Sequence, residues 1–188
     1  MKINGNELRS GNIIEYQGRL WRATKVNIVQ MGNWRSYLQV ELKDVRDGTK
    51  LIERVRTSDV VERVQLEERE YQFLYQEGDQ YTFMDQDTFD QITLDEETIG
   101  EPHVFLQEGM KVSIQSYEEK PISVTLPQTV TMEIIEAEPA MKGQTASSSY
   151  KPAKLENGVR VMVPPHIAVG TRVVVNTGDS SYVERAKD

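Results

Sequence analysis

Along most of the chain, apolar residues return at every second position, and turns rich in Gly, Asp or Pro interrupt them about every ten residues, the pattern of short antiparallel strands. Ile13-Ile14-Glu15-Tyr16 runs into Gln17-Gly18, a pair suited to a tight hairpin, and residues 19–29 read as the returning strand. Leu38, Val40 and Leu42 alternate with Gln39, Glu41 and Lys43. Asp47-Gly48 predicts another hairpin turn, with 51–56 as the strand after it. In the next stretch the spacing puts Tyr71, Phe73 and Tyr75 on one face and Gln72 and Leu74 on the other. Glu77-Gly78-Asp79 turns the chain into a strand over 81–84, and Asp87 is expected to cap a short helical turn over 87–92. Gly100-Glu101-Pro102 breaks the pattern. Alternation resumes at Met110, Val112 and Ile114, and Lys120-Pro121 is expected to turn into 122–126. The last stretch alternates at Val130, Met132 and Ile134, then passes through a Gly/Ser/Thr-rich loop over 142–152 to strands at 159–163 and 173–175 and a turn at Gly178-Asp179. No segment keeps a helical period beyond a turn or two.

This pattern predicts an all-β chain of three small barrels: an SH3-like barrel over 1–64, then two OB-type barrels of about five strands over 65–127 and 128–188. Modules of this size bury only roughly 60% of their unfolded surface, so neighbouring barrels are expected to pack together. The chain has no Cys and two His, His103 and His166, far apart in sequence. Disulfides and thiolate zinc sites are excluded, and no metal or other cofactor is expected. No run of about 18 apolar residues marks a membrane span, and residues 1–7 hold no apolar leader, so a cytoplasmic protein with no membrane partner is expected.

The net charge of −8 hides an asymmetry. Residues 1–64 carry 12 Lys and Arg against 8 Asp and Glu, a net +4; residues 65–127 carry 3 against 15, a net −12; residues 128–188 carry 7 of each. A basic end joined to an acidic middle implies that one end faces a polyanion; uneven scatter of ordinary surface charge is the alternative. The cations available for phosphate include Arg9, Arg19, Arg22, Lys25, Lys43, Arg46, Lys50, Arg54 and Arg56, some of them with Glu41, Glu53 or Asp44 to pair with.

Little points to catalysis. The pairs Glu67-Glu68, Glu96-Glu97 and Glu118-Glu119 are adjacent, and adjacent residues of a strand face opposite ways, whereas acid–base chemistry needs carboxylates converging on one cleft. Ser147-Ser148-Ser149 lacks a nucleophile elbow, and no phosphate-binding or dinucleotide fingerprint occurs. Two loops stand out instead. Met31-Gly32-Asn33-Trp34-Arg35 sits between two strands of the basic block; Trp34 either stacks on a base, with Arg35 on a phosphate, or folds back on its own hairpin. Gly143-Gln144-Thr145 is small, polar and rich in donors, an RNA contact or a plain connector.

Lys151, Ala153, Gly158, Val161, Val163-Pro164, Ile167 and Gly170 form a spaced pattern that resembles the signature of bacterial elongation factor P, though Thr171 stands where the family usually has an acid. Asn12 to Glu15, Val40-Glu41-Leu42-Lys43, Tyr71 to Tyr75, Phe105-Leu106 with Gly109-Met110, and Tyr117 to Pro121 extend the resemblance over essentially the whole chain, closest to alphaproteobacterial members. It implies an L-shaped, tRNA-like arrangement of one SH3-like (KOW-type) and two OB barrels. It also implies a monomeric, non-enzymatic factor that contacts both ribosomal subunits, ribosomal RNA and peptidyl-tRNA and stimulates peptide-bond formation at consecutive prolines. In the family a modified Lys or Arg in the first loop reaches toward the peptidyl-transferase centre. Aligned on Gly32 and on Val40 to Lys43, that position is Asn33, which has no amine or guanidinium to extend. Gly143-Gln144-Thr145 matches a family loop implicated in reading the exit-site codon, with Gln144 in place of its usual acid. A paralogue that binds ribosomes without relieving proline stalls, and a general OB-type RNA-binding protein, are the competing expectations.

Overall fold

The computed structural model describes residues 1–32, 35–139 and 149–187. Within them the alternation becomes three sheets. The first has six strands: β1 Lys2–Asn4, β2 Ile13–Tyr16, β3 Arg19–Met31, β4 Arg35–Asp44, β5 Lys50–Arg56 and β6 Val60–Val64, in the order β1-β6-β2-β3-β4-β5. The second joins β7 Glu67–Glu77, β8 Gln80–Asp85, β9 Gln91–Asp95, β10 Lys111–Tyr117 and β11 Lys120–Thr125 in the order β11-β10-β7-β8-β9. The third joins β12 Thr129–Ala137, β13 Lys151–Leu155, β14 Arg160–Val163, β15 Arg172–Asn176 and β16 Tyr182–Arg185 in the order β14-β13-β12-β15-β16. The chain divides into two compact units, one of residues 1–69 with 113–124, the other of 70–112 with 125–188.

The period-two pattern places the cores as expected. Leu38, Val40 and Leu42 are buried against Ile14, Trp21, Ala23, Ile3 and Leu8. Trp21 satisfies its indole N–H on the Tyr16 carbonyl at 3.0 Å, so its bulk enters the core without an orphan donor. Val130 and Met132 pair with Val175 and Val173 of β15, and Ile134 pairs with Leu155 of β13; Val173, Val175, Ile134 and Leu155 are fully buried. Gln17 and Gly18 both take positive φ, as the tight turn between β2 and β3 demands.

Several local expectations are corrected. β1 and β6 were not foreseen; they pair with each other from opposite ends of the first block, Ile3 opposite Val61. The β4–β5 hairpin does turn at Asp47-Gly48, through a five-residue loop closed by Asp44 N on Thr49 O and Gly48 N on Asp44 O. A register shift between Phe73 and Tyr75 breaks the shared aromatic face: Phe73 is buried and Tyr75 is exposed. Residues 86–88 form a turn, not a helix, because the Asp85 carboxylate accepts the amides of Asp87 and Thr88. The helical turn falls later, at α1 Glu96–Ile99, where Asp95 is the cap and accepts from Thr98 N at 2.8 Å. The turn before β11 is made by Glu118 and Glu119, both at positive φ, and Lys120-Pro121 lie in the strand. Proline is tolerated there because β11 is an edge strand. Lys151 and Pro152, read as loop, begin β13.

Candidate nucleic-acid interface

The β3–β4 hairpin is longer than its core requires. Its central residues are buried, but toward the tip Ile28 is 68% exposed although it pairs with the buried Leu38, so the hairpin runs on past the packed interior. A register shift between Ala23 and Lys25 places one extra residue in β3, a bulge that bends and twists the hairpin. Thr24, the extra residue, donates its hydroxyl to the Glu41 carbonyl at 3.1 Å. The pairing then holds register to Met31 opposite Arg35. Gly32 follows at φ +68, and an added Cβ there would meet nothing within 4 Å, so the backbone angle rather than space calls for glycine. Asn33 and Trp34 lie outside the described residues, as does the Gly143-Gln144-Thr145 loop.

Register decides which cations share a face. On the outer side of β3, β4 and β5, Arg22 stands opposite Lys43 and Lys43 opposite Lys50, a row of three cations across three strands. Directly opposed side chains have Cβ atoms about 5 Å apart, and like charges so placed destabilise a sheet. Lys25 follows on the same face beside Glu41. Farther along come Arg54 opposite Gln39, Arg56 opposite Tyr37, and Arg35 at the end. Arg54 lies over the Tyr37 ring, its guanidinium carbon 4.1 Å from the centroid. Arg35, Ser36, Tyr37, Arg54, Arg56, Thr57 and Ser58 line one concave surface. The following turn is fixed by Asp59, whose carboxylate accepts the Arg56 amide at 2.9 Å.

Two other expected cations, Arg9 and Arg19, are internally engaged. Arg9 donates to the carbonyls of Asn6 and Leu8, at 2.7 and 3.0 Å. Arg19 is 3.3 Å from Asp44 and 3.5 Å from Asp47 and lies against Trp21. Asp47 is held below the usual carboxylate range chiefly by hydrogen bonds from Thr49, with Arg19 adding to the effect. Tyr37 was missed in the sequence; its signal was an aromatic at an outer, polar-phase position of a strand flanked by arginines. The signature residues of the last block are architectural. Ala153 and Val163 are buried, the Pro164 carbonyl accepts from Ile167, and Gly158 and Gly170 turn the chain at positive φ. The Lys151 ammonium donates to the Glu138 carbonyl.

The second unit holds a different cluster. The Tyr81 hydroxyl is 2.9 Å from His103 Nδ1, and His103 Nε2 is 2.7 Å from Glu96. Burial, with Glu96 and Asp79 nearby, pushes the Tyr81 phenol up. The chain of bonds joins β8, α1 and the short 3-10 helix Glu101–Phe105 and reads as a structural lock.

Comparison with known proteins agrees with this architecture. Residues 4–61 match the elongation factor P KOW-like domain, 66–124 its OB domain and 130–185 its C-terminal domain. The chain is 58% identical over 188 residues to elongation factor P of Rhodospirillum centenum, covering 100% of both chains. To elongation factor P of Erythrobacter litoralis it is 54% identical over 186 residues, covering 99% of this chain and 100% of that one. Among solved structures, eukaryotic translation initiation factor 5A from Methanococcus jannaschii shares the fold with a TM-score of 0.55 at 19% identity, over 68% of this chain and 92% of that one. An eif-5a family protein from Naegleria fowleri does so with a TM-score of 0.53 at 16% identity, over 67% and 98%. The chain belongs to the elongation factor P family of translation factors.

Proposed function

We propose that this chain is a cytoplasmic, monomeric translation factor that binds the ribosome beside peptidyl-tRNA, touching both subunits, and stimulates peptide-bond formation at consecutive prolines. The three domains, 1–64, 65–127 and 128–188, divide the work. The first presents cations to RNA, and the third carries the Gly143-Gln144-Thr145 loop toward the exit-site codon. The factor itself performs no bond chemistry; it orders tRNA so that the ribosome's own reaction meets a smaller entropic barrier.

The observation that carries this reading is the outer face of β3–β5 in a chain that matches its family from end to end. Arg22, Lys43 and Lys50 abreast cost stability in the free protein. Phosphates relieve that cost and release counter-ions in doing so. The test is ribosome binding together with synthesis of a proline-run reporter in a reconstituted system. Binding with faster passage through the proline run supports the reading, and binding to free RNA in preference to ribosomes contradicts it.

Asn33 favours a second reading. The family's extended side chain has no counterpart here, so a paralogue that binds ribosomes but no longer relieves proline stalls fits the same cationic face. It predicts normal ribosome binding with no stimulation of the reporter. Under the first reading Trp34 and Arg35 act unextended, and the double substitution Trp34→Ala, Arg35→Ala removes stimulation.

A further inference from the structure

The concave surface at the far end of the first sheet differs from the cation row beside it. Arg22, Lys43 and Lys50 present charge alone. At the other end, Arg54 is stacked on Tyr37 at 4.1 Å, while Arg35 and Arg56 flank the stack and the Thr57-Ser58 segment lines the same concavity. Among the described residues, none of the three arginine side chains forms an ion pair with a carboxylate. Three guanidinium groups without a carboxylate partner call for an anion. A planar guanidinium layered on a ring offers something more, a flat cationic platform.

We propose that Arg35, Tyr37, Arg54 and Arg56 form a subsite for one unpaired ribonucleotide: Arg35 and Arg56 hold its phosphate, and the exposed face of the Arg54–Tyr37 stack takes its base. The proposal rests on the ribosomal reading above and narrows it from RNA in general to a single-stranded segment. A paired helix shows phosphates to the cation row as readily as a single strand does, but its bases are already stacked inside the duplex and cannot lie on the platform. Only an unpaired nucleotide uses both parts of the site. The planar stack, not the charge, is therefore what distinguishes single strands.

The full chain is titrated into fluorescein-labelled oligoadenylate, and into the same strand annealed to oligouridylate, at one fixed salt concentration. The single strand is expected to bind more tightly. Arg54→Lys keeps the charge and removes the plane; it should weaken single-strand binding about ten-fold and change duplex binding less than about two-fold. Tyr37→Leu should act in the same direction, and Tyr37→Phe, which keeps the ring, should bind as the unaltered chain does. Equal affinity of the unaltered chain for strand and duplex overturns the subsite, as does an equal loss on both RNAs in Arg54→Lys. Ribosome binding measured in parallel separates the two claims: a chain that binds ribosomes but shows no strand preference has lost the subsite alone. A chain that binds neither has lost the ribosomal reading as well.

Discussion

The first and second sheets are built by the same rule and carry opposite charge. Both alternate inward apolar with outward polar residues. Yet residues 1–64 have a net +4 and residues 65–127 a net −12. In the first sheet the outer phase brings Arg22, Lys43 and Lys50 into one row and Arg54 onto Tyr37. In the second, acidic side chains are spent on local order: Asp85 on the amides of Asp87 and Thr88, Asp95 on Thr98, Glu96 on His103. The two sheets share their inner pattern and differ in their outer-phase residues. Opposed like charges lower a sheet's stability, so the cation row of the first sheet is a feature that the fold alone does not call for, whereas Asp85, Asp95 and Glu96 of the second block answer to their own local partners.

The largest expected effect comes from breaking the scaffold under the cationic face. Gly5 packs against β5, and an added Cβ would lie 2.2 Å from the Arg56 carbonyl oxygen, a backbone atom that cannot step aside alone. Gly5→Ala should destabilise the protein by about 3 kcal/mol, read as a lower denaturant midpoint, and displace Arg56 with it. Next comes charge reversal. Arg22→Glu, Lys43→Glu and Lys50→Glu together should weaken ribosome binding by about a hundred-fold or more at low salt, by analogy with the removal of several phosphate-binding cations. Glu67→Gln with Glu68→Gln, in the acidic sheet, should leave binding within about two-fold, the usual range for a surface change away from a contact. The comparison fails if the two sets have similar effects.

A smaller effect sharpens the contrast. Lys43→Gln removes the middle charge of the row and should raise stability by about 0.5 kcal/mol while weakening ribosome binding. A residue whose loss helps the fold and harms binding is held there by the partner. The smallest effect belongs to the acidic sheet. Hydrogen bonds from Thr98 hold the Asp95 carboxyl below its ordinary value, so its contribution is present above the unfolded-state pKa and is lost as pH falls through the folded one. Asp95→Asn keeps a cap that does not titrate. Thermal unfolding at neutral pH should hardly change, and the drop in melting temperature on acidification should become shallower.

Strands were legible in the sequence where burial follows period two without interruption, as at Leu38, Val40 and Leu42 or Val130, Met132 and Ile134. What escaped depends on partners distant in sequence or on one extra residue. β1 is three residues long and exists because β6 pairs with it about sixty residues later. Tyr75 left its predicted face because a bulge shifts the register behind Phe73. Glu118 and Glu119 turn the chain with positive φ, a conformation their residue type does not announce. The site divides in the same way. Its cationic character was plain from composition, but the row of Arg22, Lys43 and Lys50 is set by the register of three strands and by the bulge at Thr24. Arg9 and Arg19, equal candidates by residue type, have partners that only the folded chain supplies.

The central role of the cation row is tested most directly by the salt dependence of binding to ribosomes carrying peptidyl-tRNA, measured for the unaltered chain and for the Arg22, Lys43, Lys50 reversal. Affinity of the unaltered chain should fall steeply with salt. In the variant the slope should be shallower by roughly two to three, about 0.7–0.9 for each phosphate that is no longer neutralised. Identical slopes for the two chains would contradict that role.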